Sequence, residues 1–463
     1  MLYEWTDHQV FDAGNGAILF GVDQGSLFFI DEPTRDVLLK WSGTNSLDLD
    51  DIPELDREIL KELKDARFLA TSGARHRLEA ADLDIASIPL TTMVLEVAQD
   101  CNLSCTYCYA GGGSYGKPAN LLTPDLARRA VRKLVNDSGD RDSVTLVIFG
   151  GEPLMNMPAV RAAVDEAQLL SNRNGKQIFV SLTTNGTLLD SEICAFIQKN
   201  RIAVALSLDG PGDLHDANRP NRDGSGSYAA ITENLEALLN RPTAAVAARV
   251  TLTPDQWCRV EEVFYHLLQL GFNEVGIAPV SPVRRELLPN AEQEEALLQG
   301  FSALSSNFIK AAQANRLLPF TNLIDLLARL HLGQTKSVSC GAGYGYLAVD
   351  TEGGMYVCHR LVGEESCRVG NLVDGANPAE IRRALDSLTC RRQEMCGSCW
   401  ARTLCSGGCH YENHLRENLL GLPPGGSCDF IRRWFKLGIE VYAELKRSGA
   451  DEILQRLGKR IKC

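Results

Sequence analysis

Cysteine is the residue that most constrains what this chain can fold into. The 463-residue sequence holds 15 of them, at 101, 105, 108, 194, 258, 340, 358, 367, 390, 396, 399, 405, 409, 428 and 463. An odd, clustered set in a long chain argues against a disulfide framework, which belongs to short secreted chains with even counts. The opening Met1-Leu2-Tyr3-Glu4-Trp5-Thr6-Asp7 has no basic stretch followed by an apolar one, so no secretory signal is read there. No uncharged apolar run reaches the ~18 residues needed to span a bilayer. These features point to a cytoplasmic, reducing compartment without membrane association, where clustered thiols serve as metal ligands or catalysts. With 47 basic and 59 acidic side chains the net charge is −12, which argues against a nucleic-acid partner.

At ~150 residues per domain the length predicts two or three domains. Residues 1–80 carry two short apolar runs, 17–20 and 27–30, joined by a glycine-containing turn and followed by helical periods at 34–41 and 54–66. A polar segment, 74–87, reads as a linker. Over 88–335 the pattern changes to buried apolar runs at 93–98, 144–149, 178–182, 204–208, 246–252 and 275–280, with helical segments between them. One such segment, 124–136, has Thr123 as its cap and Pro124 in the first helical position. Runs alternating with helices predict an α/β fold of consecutive βα units, too few for an eight-fold barrel and therefore a partial (β/α)6 TIM-like barrel. Its chemistry should gather at the C-terminal ends of the strands. Residues 282–335 read as mainly helical. The third region, 336–463, is rich in cysteine and glycine and shows little periodicity before an amphipathic helix at 429–447, so metal sites are its natural staples.

Cys101-x3-Cys105-x2-Cys108 follows directly on the first of the six runs. Three thiolates in eight residues can hold three irons of a cubane and leave the fourth open to a chelating small molecule. A three-thiolate zinc site is the alternative for that spacing. The motif resembles the signature of the radical SAM superfamily, here Cys101-Asn102-Leu103-Ser104-Cys105-Thr106-Tyr107-Cys108. That resemblance implies a [4Fe-4S] cluster whose open iron binds S-adenosyl-L-methionine and cleaves it to a 5′-deoxyadenosyl radical, with an external flavodoxin- or ferredoxin-like electron donor. By the same resemblance Gly150, Gly151 and Glu152 form the loop that meets the methionine amino group. Asn185, Ser207 and Arg219 would contact ribose, substrate or carboxylate, and Tyr107 would lie beside the adenine. As isolated dipeptides, the glycine-containing motifs at these strand ends would read as turns.

The later cysteines resemble the seven-cysteine SPASM domain, which carries auxiliary iron–sulfur clusters. The resemblance implies three [4Fe-4S] clusters in all. Cys396, Cys399, Cys405 and Cys428 would complete one auxiliary cluster, and Cys340, Cys358 and Cys409 would hold the other, its fourth site open or filled by Cys367, Cys390 or another ligand. Zinc is the alternative for Cys396-x2-Cys399 alone. Cys194 and Cys258 read as packing residues in apolar helical contexts.

The N-terminal region resembles the winged-helix-like peptide-recognition element (RRE) that binds a precursor's leader as an added strand; a structural cap on the barrel is the alternative. Taken together, the resemblances imply a ribosomally made precursor polypeptide with a leader as partner. By its length, its N-terminal element, the glycine-rich run 109–116 and the segment Gly421-Leu422-Pro423-Pro424 through Cys428-Asp429-Phe430, the chain looks closest to the quinohemoprotein amine dehydrogenase maturation proteins, which join cysteine sulfur to methylene carbons of Asp or Glu side chains as intrapeptidyl thioethers. A sulfatase-maturase-type, formylglycine-forming enzyme is the main rival, and a non-enzymatic metal-bound peptide adaptor the other. Asp209, at a strand end, is the first candidate for the base that takes the thiol proton, with Asp216 and Asp223 better read as turn caps. His215 and His359 are candidate proton shuttles, and Arg219, Arg222 and Arg249 candidate carboxylate holders.

Overall fold

The computed structural model describes residues 1–12, 16–71, 82–240, 242–389, 395–422 and 426–461. Cys390, Cys463, the pair Pro423-Pro424 and most of the polar 74–87 segment lie outside the described residues.

The N-terminal region contains more strand than its two apolar runs suggest. Its strands are β1 (Leu2–Trp5), β2 (His8–Asp12), β3 (Ala17–Gly21), β4 (Ser26–Ile30), β5 (Leu47–Asp48) and β6 (Leu69–Thr71). Strands β2, β3 and β4 form an antiparallel meander, while β1 lies between β5 and β6 in a second small sheet. Helices Glu32–Trp41 and Glu54–Asp65 follow the meander; the first is capped by Asp31, whose carboxylate accepts from Thr34 N. The alternation of side chains along β3 explains why all five of its residues are buried. Leu19 turns inward to a core with Leu38, Leu60 and Phe68, whereas Ile18 and Phe20 turn the other way against Leu326, Leu330, Leu404 and Ile439. The outer face of the meander is therefore an interface with the C-terminal half of the chain. Trp400 meets Phe11 edge-on at 5.0 Å, and the buried Arg402 reaches both Asp7 and Asp23.

The main body is an α/β fold around one mixed, largely parallel sheet. Strands β7 (Thr92–Gln99), β9 (Ser143–Gly150), β10 (Gln177–Thr184), β11 (Ala203–Ser207), β12 (Val246–Leu252) and β13 (Val275–Pro279) run parallel in that spatial order, and a short β8 (Asn120–Leu121) pairs with β7. All six predicted runs are strands, each within a residue or two of its expected ends. Between β7 and β9 lies the helix Pro124–Asn136, where Thr123 accepts from Leu126 N and the 3.6-residue period buries Ala127, Ala130, Val131, Leu134 and Val135. Helices Ala291–Gln313 and Thr321–His331 fill the bridging region.

The region after residue 336 departs from expectation. Its weak periodicity conceals β14 (Tyr346–Val349), β15 (Gly354–Tyr356), β16 (Arg368–Asn371), β17 (Gly375–Ala376) and a helix, Pro378–Thr389. Strand β14 lies parallel to β7, with Leu95 opposite Val349, so the sheet does not stop at its first strand but continues into the cysteine-rich region. A four-residue strand is too short for a period-2 pattern to stand out from its glycine-rich surroundings, which is why sequence periodicity misses it.

The two faces of the meander predict different costs. Phe20→Ala should destabilise the protein by about 3–5 kcal/mol. Phe29→Ala, at a position 51% exposed, should stay within about 0.5 kcal/mol. Denaturant midpoints of the two variants check the contrast.

Candidate functional site

The loop after β7 carries the first three cysteines, and its course is set by backbone contacts. Gly151 N donates to Ala98 O at 2.8 Å and Glu152 N to Asp100 O at 2.9 Å, lacing the β9 loop to the β7 loop. Only glycine fits there: a Cβ on Gly151 would stand 2.2 Å from Asp100 O, and one on Gly150 2.5 Å from Ala98 O. Cys101 is buried, with Leu103 N and Asn185 Nδ2 directed at its sulfur at 3.4 and 3.7 Å, and Gly112 N is directed at Cys108 Sγ at 3.4 Å. Burial pushes the Cys101 thiol up to about 12, and a bound cation would lower it again. All three thiols line one cavity of about 360 Å³ at the C-terminal ends of the parallel strands.

Gly150, Gly151, Asn185, Ser207, Arg219 and Tyr107 border the same cavity. Glu152 does not: its carboxylate is fully buried and accepts from Leu154 N, Thr184 Oγ1 and Asn185 N at 2.7–2.9 Å. It acts as a strut between the β9 and β10 loops. Burial raises it to about 7 against these hydrogen bonds.

Asp209 also has a different place from the one expected of a base. It is fully buried and does not border the cavity. Its Oδ2 accepts from Tyr107 OH and, at 3.0 Å, from Arg219 Nε, while Oδ1 accepts from Thr251 N at 2.9 Å. With its oxygens so engaged, Asp209 positions Tyr107 and Arg219, whose guanidinium stacks 5.4 Å over the Tyr107 ring. Asp216 caps the turn at Ser227 and Tyr228, and Asp223 binds Ser225. His215 is held between Asp209 N and Ser227 Oγ, and burial lowers it to about 4. Arg222 pairs with Asp100, and Arg249 lies in β12 away from the cavity lining.

The later thiols fall into two electrostatic groups. Cys358 feels Cys409 and Cys340, whereas Cys405 feels Cys428, Cys396 and Cys399. The second group lines its own cavity, which the first group's Cys409 also borders. Among the described residues no three His, Cys, Asp or Glu side chains converge tightly enough for a single metal ion. Cys101, Cys105 and Cys108 line one cavity and Cys396, Cys399, Cys405, Cys409 and Cys428 another, a donor arrangement that fits polynuclear clusters. Cys367 is buried beside Ser366 and Glu364 and is not among the groups acting on Cys358. Cys194 is a buried packing residue, but Cys258 is exposed, contrary to its apolar sequence neighbours.

Sequence reasoning missed the far wall of the first cavity. Ser281, Arg360 and Glu412 line it beside His359, whose ring is buried, receives Tyr346 OH and is lowered to about 3. The available signals were adjacency, Arg360 standing two residues after Cys358, and helical spacing, Glu412 one turn after Cys409.

Residues 95–264 match the model of the radical SAM superfamily. The cysteine-type anaerobic sulfatase-maturating enzyme of Clostridium perfringens is 25% identical over 339 residues, 69% of this chain and 89% of that protein. The serine-type enzyme of Klebsiella pneumoniae is 22% identical over 342 residues, 70% of this chain and 82% of its own. Among solved structures, native anSMEcpe with bound AdoMet superposes with a TM-score of 0.66 at 19% identity, covering 78% of this chain and all of its own. Streptococcus suis SuiB bound to precursor peptide SuiA gives 0.55 at 16%, covering 92% of this chain and all of its own.

Below the cavity, on β7, Glu96 is fully buried; it accepts from Tyr115 OH, while its Oε2 has no partner among the described residues. Burial raises it from 4.5 to about 8. The fold therefore favours the protonated acid, and the stability it contributes is lost as pH rises from its ordinary range through about 8. Glu96→Gln should flatten that decline and stabilise the protein at pH 8 relative to pH 5, read from denaturation midpoints at both values.

Proposed function

From the premise that the chain is a radical SAM enzyme related to the anaerobic sulfatase-maturating enzymes and to SuiB-type peptide maturases, we infer that it forms intrapeptidyl thioether crosslinks. Each would join a cysteine sulfur to an Asp or Glu methylene carbon of a ribosomally made, leader-bearing precursor, as in the quinohemoprotein amine dehydrogenase maturation proteins. In this reading residues 1–80 are the leader-recognition module, 88–335 the partial (β/α)6 barrel and 336–463 the SPASM-like auxiliary-cluster region.

The observation that carries the reading is the docked N-terminal meander. Strand β4 pairs only with β3 among the described residues, so one edge faces outward, and it displays Phe28 and Phe29, 40% and 51% exposed. An unpaired edge with flanking aromatics suits an added strand from a leader. The structure of SuiB bound to its precursor peptide SuiA covers more of the chain, 92%, than that of the sulfatase-maturating enzyme, 78%.

Cys101, Cys105 and Cys108 fit a three-thiolate cluster site, since they face one cavity with N–H groups directed at two of the sulfurs. Cys396, Cys399, Cys405 and Cys428 would hold a second cluster, and Cys340, Cys358 and Cys409 a third. When bound, the first cluster with S-adenosyl-L-methionine supplies hydrogen abstraction from a carbon that no side-chain base can deprotonate. The protein's own residues do the rest. Gly150 and Gly151 leave backbone open to the methionine moiety, Asn185 and Ser207 present polar groups at strand ends, and Arg219, fixed by Asp209, presents a permanent cation. Crosslinking removes two hydrogens from the peptide as the C–S bond forms, one from carbon as a hydrogen atom taken by the deoxyadenosyl radical and one from sulfur as a proton, and the surplus electron would pass to the auxiliary cluster that Cys340, Cys358 and Cys409 would hold.

The names of the curated relatives favour formylglycine formation as the second reading. Co-expression with a small Cys- and Asp/Glu-rich precursor separates the two: each thioether removes ~2 Da and resists reductant and alkylation, whereas formylglycine leaves an aldehyde that captures hydrazide. Reconstituted protein should hold about twelve irons per chain, and Cys101→Ala about eight with SAM cleavage abolished. Deleting residues 1–71 should weaken precursor binding by at least tenfold while uncoupled SAM cleavage persists; equal loss of both would favour a structural cap.

A further inference from the structure

Arg360 keeps a buried donor that no other described group takes up. Its guanidinium carbon stands 4.8 Å from the centroid of Tyr109 and 4.3 Å from that of Tyr411, two rings that themselves meet edge-on at 5.6 Å. A guanidinium carries five N–H donors, all in its own plane. One of them, Nη2, donates to Ser281 Oγ at 2.8 Å, and Ser281 in turn donates to Glu412 Oε1 at 2.7 Å. Nε is buried and has no partner among the described residues. Arg360 makes no direct ion pair there, unlike Arg219, whose charge is met by Asp209. The acidic neighbours of Arg360 are Glu412, reached through Ser281, and the Cys409 thiol, and neither takes up Nε, which stays open to an anionic ligand.

The neighbouring thiols do not take up these donors. Backbone N–H groups are directed at Cys101 and Cys108, yet no side-chain nitrogen of Arg360 hydrogen-bonds a cysteine sulfur among the described residues. The guanidinium lines the cavity that also holds Cys101, Cys105 and Cys108, on the wall formed with Ser281 and Glu412. Arg219 belongs to a different stretch of lining, stacked on Tyr107.

We propose that Arg360 is the specificity residue that binds the side-chain carboxylate of the acidic residue to be crosslinked, presenting that residue's methylene carbon to the cavity. The proposal rests on the thioether reading and names the group that selects Asp or Glu. A planar, permanently charged fork matches a carboxylate in two-point contact, and an amide cannot accept from both of its arms. Ser281 and Glu412 are positioning residues that set the angle of the fork.

The test uses the full-length reconstituted protein with SAM and two fluorescein-labelled peptides, Gly-Cys-Gly-Asp-Gly and Gly-Cys-Gly-Asn-Gly, with Kd read by anisotropy. Wild type should bind the Asp peptide at least about tenfold more tightly than the Asn peptide. Arg360→Gln should reduce that ratio to about one while iron content stays at the wild-type value. Should the Gln variant fail to fold, Arg360→Met keeps the stem packed against the rings and replaces it. A wild-type ratio near one, an undiminished ratio in the variant, or loss of iron in the variant would each overturn the proposal. Because binding is read without turnover, failure to form a thioether in the co-expression experiment defeats the functional reading separately.

Discussion

At Gly151 the backbone passes so close to Asp100 that a Cβ would stand 2.2 Å from its carbonyl oxygen, and Gly150 is nearly as close to Ala98. This approach joins the loop that carries the first three cysteines to the end of the next strand, and the geometry around it follows. Glu152 can turn back to tie Thr184 and Asn185 only because its own N–H is already bound to Asp100 O. Asn185, fixed in this way, directs its amide at Cys101. A flexible surface loop would leave three thiols free to rearrange; here hydrogen bonds hold their loop to two neighbouring strands.

The same economy governs charge. Three buried ionisable side chains beside the cavity are held by structural partners: Glu152 by two backbone N–H groups and a threonine hydroxyl, Asp209 by Tyr107 and Arg219, and Arg219 by Asp209. Arg360, half-buried on the lining, is braced by rings and a serine but has no direct counter-ion among the described residues. Buried charges that are already satisfied give a site its shape, whereas one that is not gives it an appetite for a ligand of opposite sign.

Much of this was legible from sequence, and the reasons differ by element. The six long strands announce themselves because both faces are buried, so their apolar runs are continuous. The cysteine loop is visible because its spacing is set by covalent chemistry rather than by packing. Asp209 reads as a base because it stands at a strand end, but only coordinates show that Tyr107, Arg219 and Thr251 have already claimed its oxygens. Cys258 has apolar sequence neighbours that turn inward while its own thiol turns out, a matter of helical phase over a short 3-10 segment. Arg360 and Glu412 stay hidden because the fold brings them to the cavity from a region whose short strands leave no periodic trace.

That region enters the sheet through β14, whose residues Tyr346 to Val349 stand opposite Thr92 to Leu95 of β7. The cysteine loop grows from the C-terminal end of one of these strands, and the hairpin leading to Cys358 from the same end of the other. Cys358 itself follows β15, which runs back antiparallel to β14 with Tyr356 opposite Ala348. Two adjoining rungs of one sheet thus tie this later thiol to the strand that carries the cysteine loop, and a disturbance of β14 would be felt at both.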